Sequence, residues 1–321
     1  MHMRIVFMGT PEFACANLTC LCQSRHEVVG VVTGRDKPTG RGRRLAPTLV
    51  CNEAAQHKVP VFKPKSLKSK ALHDELRALG PDLFVVAAFR VLPPTLFDLP
   101  RLGSINIHGS LLPKYRGAAP INWALINGEK ETGLTSFFLK EKVDTGDMIL
   151  QEKISIADDE TFDTLYDRLC TMAGPFLLKT LDLIEKGESA PIPQNDTEAT
   201  PAPKLTPFDA LIDFGLPAEN VRNFVRGMAT RPGAWTWFRG KKTKIHACVV
   251  SDFPPDPAAR PGTVLPSRKK LLVQCNNSVV ELLKVVPEGK REMDGMSFRN
   301  GFRPETGEVF GDVSQRGQEN Q

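Results

Sequence analysis

Apolar positions in the first hundred residues fall into short runs separated by amphipathic stretches. Residues 4–8, 27–33, 82–88 and 103–108 are β-type, and the first three are near-continuous in Val, Ile and Phe. Strands buried on both faces have this texture. Between them, 11–24, 46–57 and 68–79 read as helices. Thr10 is placed to cap the first, with Pro11 at its first turn. Leu72, Leu76 and Leu79 of the third precede a Gly80-Pro81 stop. Strands alternating with helices predict βαβ units, and so an α/β fold with a doubly wound, mostly parallel sheet.

Two further strands are predicted at 133–139 and 148–156. The stretch 159–186 follows, with apolar residues close to a 3.6 period from Phe162 to Ile184. Gly174-Pro175 should kink or interrupt it, and Gly187 ends it. Residues 188–205 carry Pro191, Pro193, Pro201 and Pro203 among polar residues with no apolar period, the composition of a linker. From 206 the texture changes again. One helix is predicted over 217–229. Short β-type runs follow at 234–238, 243–250, 262–265, 270–275 and 278–286, which suggests a small OB-like β-barrel. The expected organisation is a first domain over 1–189, a linker over 190–205, a second domain over 206–310 and a mobile polar tail over 311–321.

Composition narrows the class. Hydrophobic residues make up 41% of the 321 and charged residues 25%, which argues against wholesale disorder. No run of eighteen uncharged apolar residues exists to form a membrane helix. The N-terminal apolar run meets Gly9-Thr10-Pro11-Glu12 too soon for a signal peptide. The seven cysteines form no CxxC pair. That pattern points to reduced thiols in the cytoplasm, not to a disulfide framework or a structural zinc site. Lys+Arg exceeds Asp+Glu by 42 − 37 = 5, a mild excess with an uneven distribution. Residues 35–44 hold five basic residues and one acid, and 239–244 hold four basic residues and no acid.

Ligands of open parallel sheets gather at the carboxyl ends of the strands. The turn after residues 4–8 carries a single glycine, and Glu12 would repel a pyrophosphate there, which argues against a dinucleotide site. Residues 103–108 end in Asn106-Ile107-His108. Alternate strand residues share a face, so an amide and an imidazole stand side by side. Such a pair can hold a carbonyl oxygen as it gains charge and can move a proton. For a lone histidine at a strand end, a satisfied structural role is the commoner reading. Asp144, in the turn Val143-Asp144-Thr145-Gly146-Asp147, can set the tautomer of His108 or support its charge, or simply make a local turn bond. The residues alone leave these alternatives open. No G-x-S-x-G, P-loop or H-E-x-x-H motif is present.

Three blocks in order, Asn106-x-His108-Gly109-Ser110-Leu111-Leu112-Pro113, Arg116-Gly117-Ala118-Ala119-Pro120-Ile121, and Thr132-Gly133 with Asp144-Thr145-Gly146-Asp147-Met148, resemble the core of folate-dependent formyltransferases. Ile5 to Ala14, Asp36 to Leu45, and Lys204-Leu205 with Ile212-Asp213-Phe214 resemble the methionyl-tRNA formyltransferase branch, and the likeness extends to about residue 304. It implies a Rossmann-like catalytic domain and an OB-like second domain that assists tRNA binding. It also implies formyl transfer from 10-formyltetrahydrofolate to the α-amino group of initiator methionyl-tRNA, without a metal. The matched catalytic set is Asn106, His108 and Asp144, and the folate site is lined by Ser110, Leu111, Leu112 and Pro113. With that set beside it, the basic segment becomes a candidate tRNA contact through Lys37, Arg41, Arg43 and Arg44, and 239–244 a second one. A monomer is expected. An N-formyltransferase acting on a sugar nucleotide or a purine precursor shares the catalytic set and is the alternative; a non-catalytic RNA-binding protein is a third. One departure stands out. Many members carry Tyr-Gly after the 82–88 strand, where this chain has Phe89-Arg90.

Overall fold

A computed structural model describes residues 2–39 and 44–311. The chain forms two compact units. One holds the described residues up to 120 with 131–155 and 166–202; the other holds 121–130, 156–165 and the described residues from 203 onward.

The first unit begins with β1 (Arg4–Gly9), α1 (Glu12–Cys22) and β2 (Glu27–Val32), then a hairpin of β3 (Lys37–Thr39) and β4 (Arg44–Ala46). It continues through α2 (Leu49–Gln56), β5 (Val61–Phe62), α3 (Lys70–Ala78), β6 (Leu83–Ala87), α4 (Pro94–Phe97), β7 (Ser104–His108) and β8 (Arg116–Gly117). Beyond α5 (Pro120–Ile126) come β9 (Glu131–Phe138), β10 (Met148–Ser155), α6 (Phe162–Lys186) and β11 (Pro201–Ala202). The main sheet has the order β10-β9-β7-β6-β1-β2-β5. Its five strands from β7 to β5 are parallel, and β9 and β10 join antiparallel at one edge. The chain thus winds outward from β1 in both directions, and the direction reverses between β1 and β6. Ile5 to Met8 and Leu83 to Val86 are buried, as their continuous apolar runs require. Val6, Met8, Phe84 and Val86 form one core face with Leu72 and Leu76 of α3.

Three local expectations are corrected. Pro11, not Thr10, occupies the N-cap of α1 and offers no side-chain acceptor; the Tyr166 hydroxyl accepts the first-turn Phe13 N–H at 3.0 Å. The Thr10 hydroxyl instead accepts the Gly34 N–H at 3.2 Å, so a tertiary contact between two strand ends has taken the capping group. Helix α6 runs through Gly174-Pro175 without a break. A proline inside a helix costs about 3 kcal/mol, whereas burying Phe176 and Leu177 completely contributes about 1.5–3 kcal/mol each. Gly174 is there for packing: a Cβ would lie 2.5 Å from the Cys20 Cβ of α1. Finally, much of the expected linker is held by the first unit. Ile192 and Met148 exchange backbone hydrogen bonds at 2.9 Å, and β11 pairs with β8.

The second unit contains α7 (Ala218–Met228), β12 (Trp235–Phe238), β13 (Lys241–Ser251), β14 (Leu272–Gln274), β15 (Val279–Pro287), β16 (Met293–Asp294) and α8 (Gly295–Phe302). The strands make a curled antiparallel sheet of order β12-β13-β15-β14, with β16 on β15; this half-barrel is the expected OB-like element. Residues 262–265 contribute only isolated bridges, Thr263 to Val309 and Val264 to Val273. Val221, Val225 and Met228 of α7 pack into a core with Ile245, Leu282, Phe298 and Phe310. Asn122 donates to the Gly227 carbonyl at 2.8 Å and so ties 121–130 into this unit. The tail from 312 lies outside the described residues. No helix among those described is long and apolar enough to cross a membrane.

Candidate active site

Strand β7 ends at the carboxyl edge of the sheet. Asn106 pairs with Val86 on one side and Phe137 on the other, and His108 pairs with Thr135. Ile107, pointing the opposite way, is buried. The His108 ring is also buried, and its Nε2 lies 2.8 Å from the Tyr115 carbonyl. A carbonyl only accepts, so Nε2 carries the hydrogen and the neutral ring has its lone pair at Nδ1. That Nδ1 is 3.8 Å from Asp144 Oδ2. The distance exceeds a hydrogen bond, so the carboxylate faces this nitrogen without bonding to it. The tautomer of His108 is therefore fixed by Tyr115, while the Asp144 carboxylate faces the opposite ring nitrogen. The Asn106 carboxamide, half-buried beside them, makes no hydrogen bond to any described residue.

Asp144 is held from the backbone. Its Oδ2 accepts the Gly117 N–H at 2.9 Å, and its own φ is +53°, a left-handed conformation unusual for a residue with a Cβ. Two residues on, only glycine fits: a Cβ at Gly146 would lie 1.6 Å from the Phe138 carbonyl oxygen. After His108 the chain turns through Ser110–Pro113. Thr135 Oγ1 donates to the Ser110 carbonyl at 2.7 Å and accepts the Leu112 N–H at 3.1 Å. Gln151 donates to the Leu112 carbonyl at 2.8 Å. The Ser110 hydroxyl donates to the Lys114 carbonyl at 2.7 Å. Ser110 and Leu112 are buried, leaving Leu111 and Pro113 as the partly exposed members of this segment. An amide, an imidazole and a carboxylate from two distant stretches of chain thus flank one strand end.

A formyl transferase model matches residues 3–181 and a formyl transferase C-terminal domain model matches 204–303. The methionyl-tRNA formyltransferase of Caldanaerobacter subterraneus subsp. tengcongensis is 44% identical over 311 residues, covering 96% of this chain and all of that protein. That of Porphyromonas gingivalis strain W83 is 41% identical over 310 residues, covering 94% and 96%. This chain belongs to the methionyl-tRNA formyltransferase family. Among solved structures, WlaRD, a sugar 3N-formyl transferase crystallised with dTDP and 5-N-formyl-THF, aligns with a TM-score of 0.64 at 15% identity over 91% of this chain and all of that one. At that identity the likeness concerns the fold.

The family's basic segment is a hairpin here. Lys37 pairs with Ala46 and Thr39 with Arg44. It follows β2 and so leaves the sheet at the carboxyl edge that carries His108. Arg41 and Arg43 lie outside the described residues. The second cluster, 239–244, has internal partners. Arg239 makes two 2.7 Å hydrogen bonds to Glu308, and Lys242 Nζ lies 4.2 Å above the Trp235 ring.

The surroundings of the Phe89-Arg90 departure are set by tertiary contacts. The Arg90 guanidinium lies 5.1 Å from the Phe89 ring centroid and donates to the Pro64 carbonyl at 3.3 Å. It lines a cavity of about 370 Å³ with Thr10, Gly34, Arg35, Lys65 and Ala88, where the winding direction reverses. Nothing in the spacing of these residues signals that they meet. The roles of Tyr115 and Gly117 run through backbone atoms, which carry no side-chain signal. His26, Asp182 and Glu185 also converge, but Arg25 pairs with both acids.

Proposed function

We propose that this protein transfers the formyl group of 10-formyltetrahydrofolate to the α-amino group of methionine on initiator tRNA. Asn106, His108 and Asp144 carry the chemistry. The observation behind this reading is the buried imidazole with Nε2 committed to Tyr115 and Nδ1 facing Asp144, next to the unpartnered Asn106 amide. The uncharged methionyl amine attacks the formyl carbon, and a C–N bond forms as the carbonyl oxygen becomes an oxyanion. The Asn106 N–H and the protonated Nδ1 of His108 stabilise that oxygen. Asp144 supports the imidazolium and relays the amine proton. The C–N10 bond then breaks, and the folate nitrogen leaves with a proton. Holding donor and acceptor together supplies much of the remaining rate gain.

Leu111 and Pro113 contact the folate through side chains, while Ser110 and Leu112 shape the turn. Lys37, Arg41, Arg43 and Arg44 contact the acceptor end of the tRNA through phosphates, for which arginine geometry is suited. Cysteines that form no disulfide suit a cytoplasmic enzyme. The test is formyl transfer to four acceptors: charged initiator tRNA, charged elongator tRNA, free methionine and a sugar amine. Strong preference for the initiator tRNA is expected. Formylation of the sugar amine alone would overturn the reading in favour of a small-molecule N-formyltransferase, the activity named for the fold neighbour WlaRD. Transfer to none of the four would leave an RNA-binding protein.

A further inference from the structure

Within the exposed stretch 191–198, Gln194 alone is half-buried. Its carboxamide is fully used. Nε2 donates to the Asp144 carbonyl at 2.9 Å and to the Gly146 carbonyl at 2.8 Å. Oε1 accepts from Arg116 Nε at 3.0 Å and from Arg116 Nη2 at 2.8 Å, and Arg116 is anchored in turn on Asp196 at 2.7 Å. Six residues on, Thr200 Oγ1 accepts the Tyr115 N–H and the Thr200 carbonyl accepts the Arg116 N–H, both at 2.9 Å. The segment 194–200, with one short 3-10 turn at Asp196–Glu198, therefore grips both neighbours of His108: the turn that carries Asp144, and the start of β8, where the Tyr115 carbonyl accepts the Nε2 hydrogen bond.

We infer that Gln194 is a positioning residue that holds Asp144 in its left-handed conformation and so sets the carboxylate against His108. The inference rests on the formyl-transfer reading above. The left-handed conformation costs free energy in a residue with a Cβ, and something must hold the turn there. Two donors aimed at the carbonyls of Asp144 and Gly146 do so, while an acceptor meets the guanidinium between them. A carboxamide of this length meets both demands. Glutamate would turn an anionic oxygen toward two carbonyls, and methionine fills the space with no hydrogen bond.

The experiment compares Gln194→Met and Gln194→Glu with the full-length enzyme, alone and combined with Asp144→Asn. Steady-state formylation of charged initiator tRNA is measured along with thermal unfolding. Misplacing a catalytic group by about 1 Å costs roughly a hundredfold, so each Gln194 variant is expected to lose about ten- to a hundredfold in kcat. KM for donor and tRNA should stay within about twofold. Gln194→Glu loses both donor bonds but strengthens the Arg116 pair with a charge, so its unfolding temperature is expected to fall less than that of Gln194→Met. The decisive readout is the double variant. If Gln194 works through Asp144, adding Gln194→Met to Asp144→Asn costs little more. Full additivity, or wild-type kcat in both Gln194 variants beside a crippled Asp144→Asn, overturns this inference and leaves the formyl-transfer reading standing. Wild-type turnover in Asp144→Asn removes the role given to the carboxylate itself.

Discussion

Asn106 and His108 show how much chemistry two alternate positions of a strand can hold, and how their surroundings decide its form. Sequence periodicity put both on one face, but it left open whether His108 was structural. The structure gives the ring both characters: Nε2 is a satisfied donor to Tyr115, and Nδ1 faces a carboxylate. Losing one oxyanion donor typically costs about a hundredfold or more. His108→Ala and Asn106→Ala are therefore each expected to lower kcat at least about a hundredfold while tRNA binding, measured by filter retention, is kept. A His108→Ala enzyme that formylates at the wild-type rate would remove its role. Gly146 is a stricter position. Its Cβ would enter the Phe138 carbonyl, so Gly146→Ala must move the turn and Asp144 with it. Turnover should fall at least tenfold while far-UV circular dichroism is unchanged.

Strands and helices were largely visible as periodic runs, because a strand buried on both faces and an amphipathic helix leave distinct hydrophobic patterns. The misses have local causes. Lys37–Thr39 pairs antiparallel with Arg44–Ala46, a pairing that a stretch rich in basic residues and glycine does not signal. Residues 262–265 have β-type composition but obtain only single bridges. Helix α6 carries a proline that its own packing overrides. At Gly174 the gain in helix propensity from alanine, about 1 kcal/mol, competes with an overpacking cost of about 1–3 kcal/mol. With Cys20 Cβ at 2.5 Å the cost wins, so Gly174→Ala is expected to lower the urea midpoint. Adding Cys20→Gly, which removes the opposing Cβ, should recover part of the loss.

The β12–β13 turn gives a pH-dependent case. Arg239 hydrogen bonds hold the Glu308 carboxyl below the usual glutamate range, against a smaller upward push from burial. The folded pKa is depressed, so the stabilisation is complete above the unfolded value of about 4.3 and is lost as pH falls through the folded value. The pair is partly exposed, which limits it to about 0.5–1 kcal/mol. Glu308→Gln should show that deficit at pH 7 in urea titrations, shrinking below about pH 4. A deficit that persisted at low pH would assign the loss to packing.

At the largest scale the chain combines a doubly wound sheet with a curled half-barrel, and its basic hairpin leaves the sheet at the edge that carries His108. If Arg41, Arg43 and Arg44 meet tRNA phosphates, KM for tRNA should rise steeply with salt while KM for the folate donor hardly changes. Arg41→Glu should raise KM for tRNA and flatten that salt dependence; unchanged tRNA kinetics would make the segment ordinary solvated surface. The second basic cluster is expected to contribute less, since Arg239 is committed to Glu308 and Lys242 to Trp235.

Read alone, the order of residues was enough for the fold class, the two-part composition, the family likeness and the candidate amide, imidazole and carboxylate. Burial periodicity and short motifs are local properties, written within a few residues of one another. It could not show that segments 121–130 and 156–165 join the C-terminal unit, that Tyr115 sets the histidine tautomer, or that Gln194 reaches Asp144 across fifty positions of chain. Those depend on backbone carbonyls and on contacts between distant segments, which exist only once the chain has closed on itself and buried groups have had to find their partners.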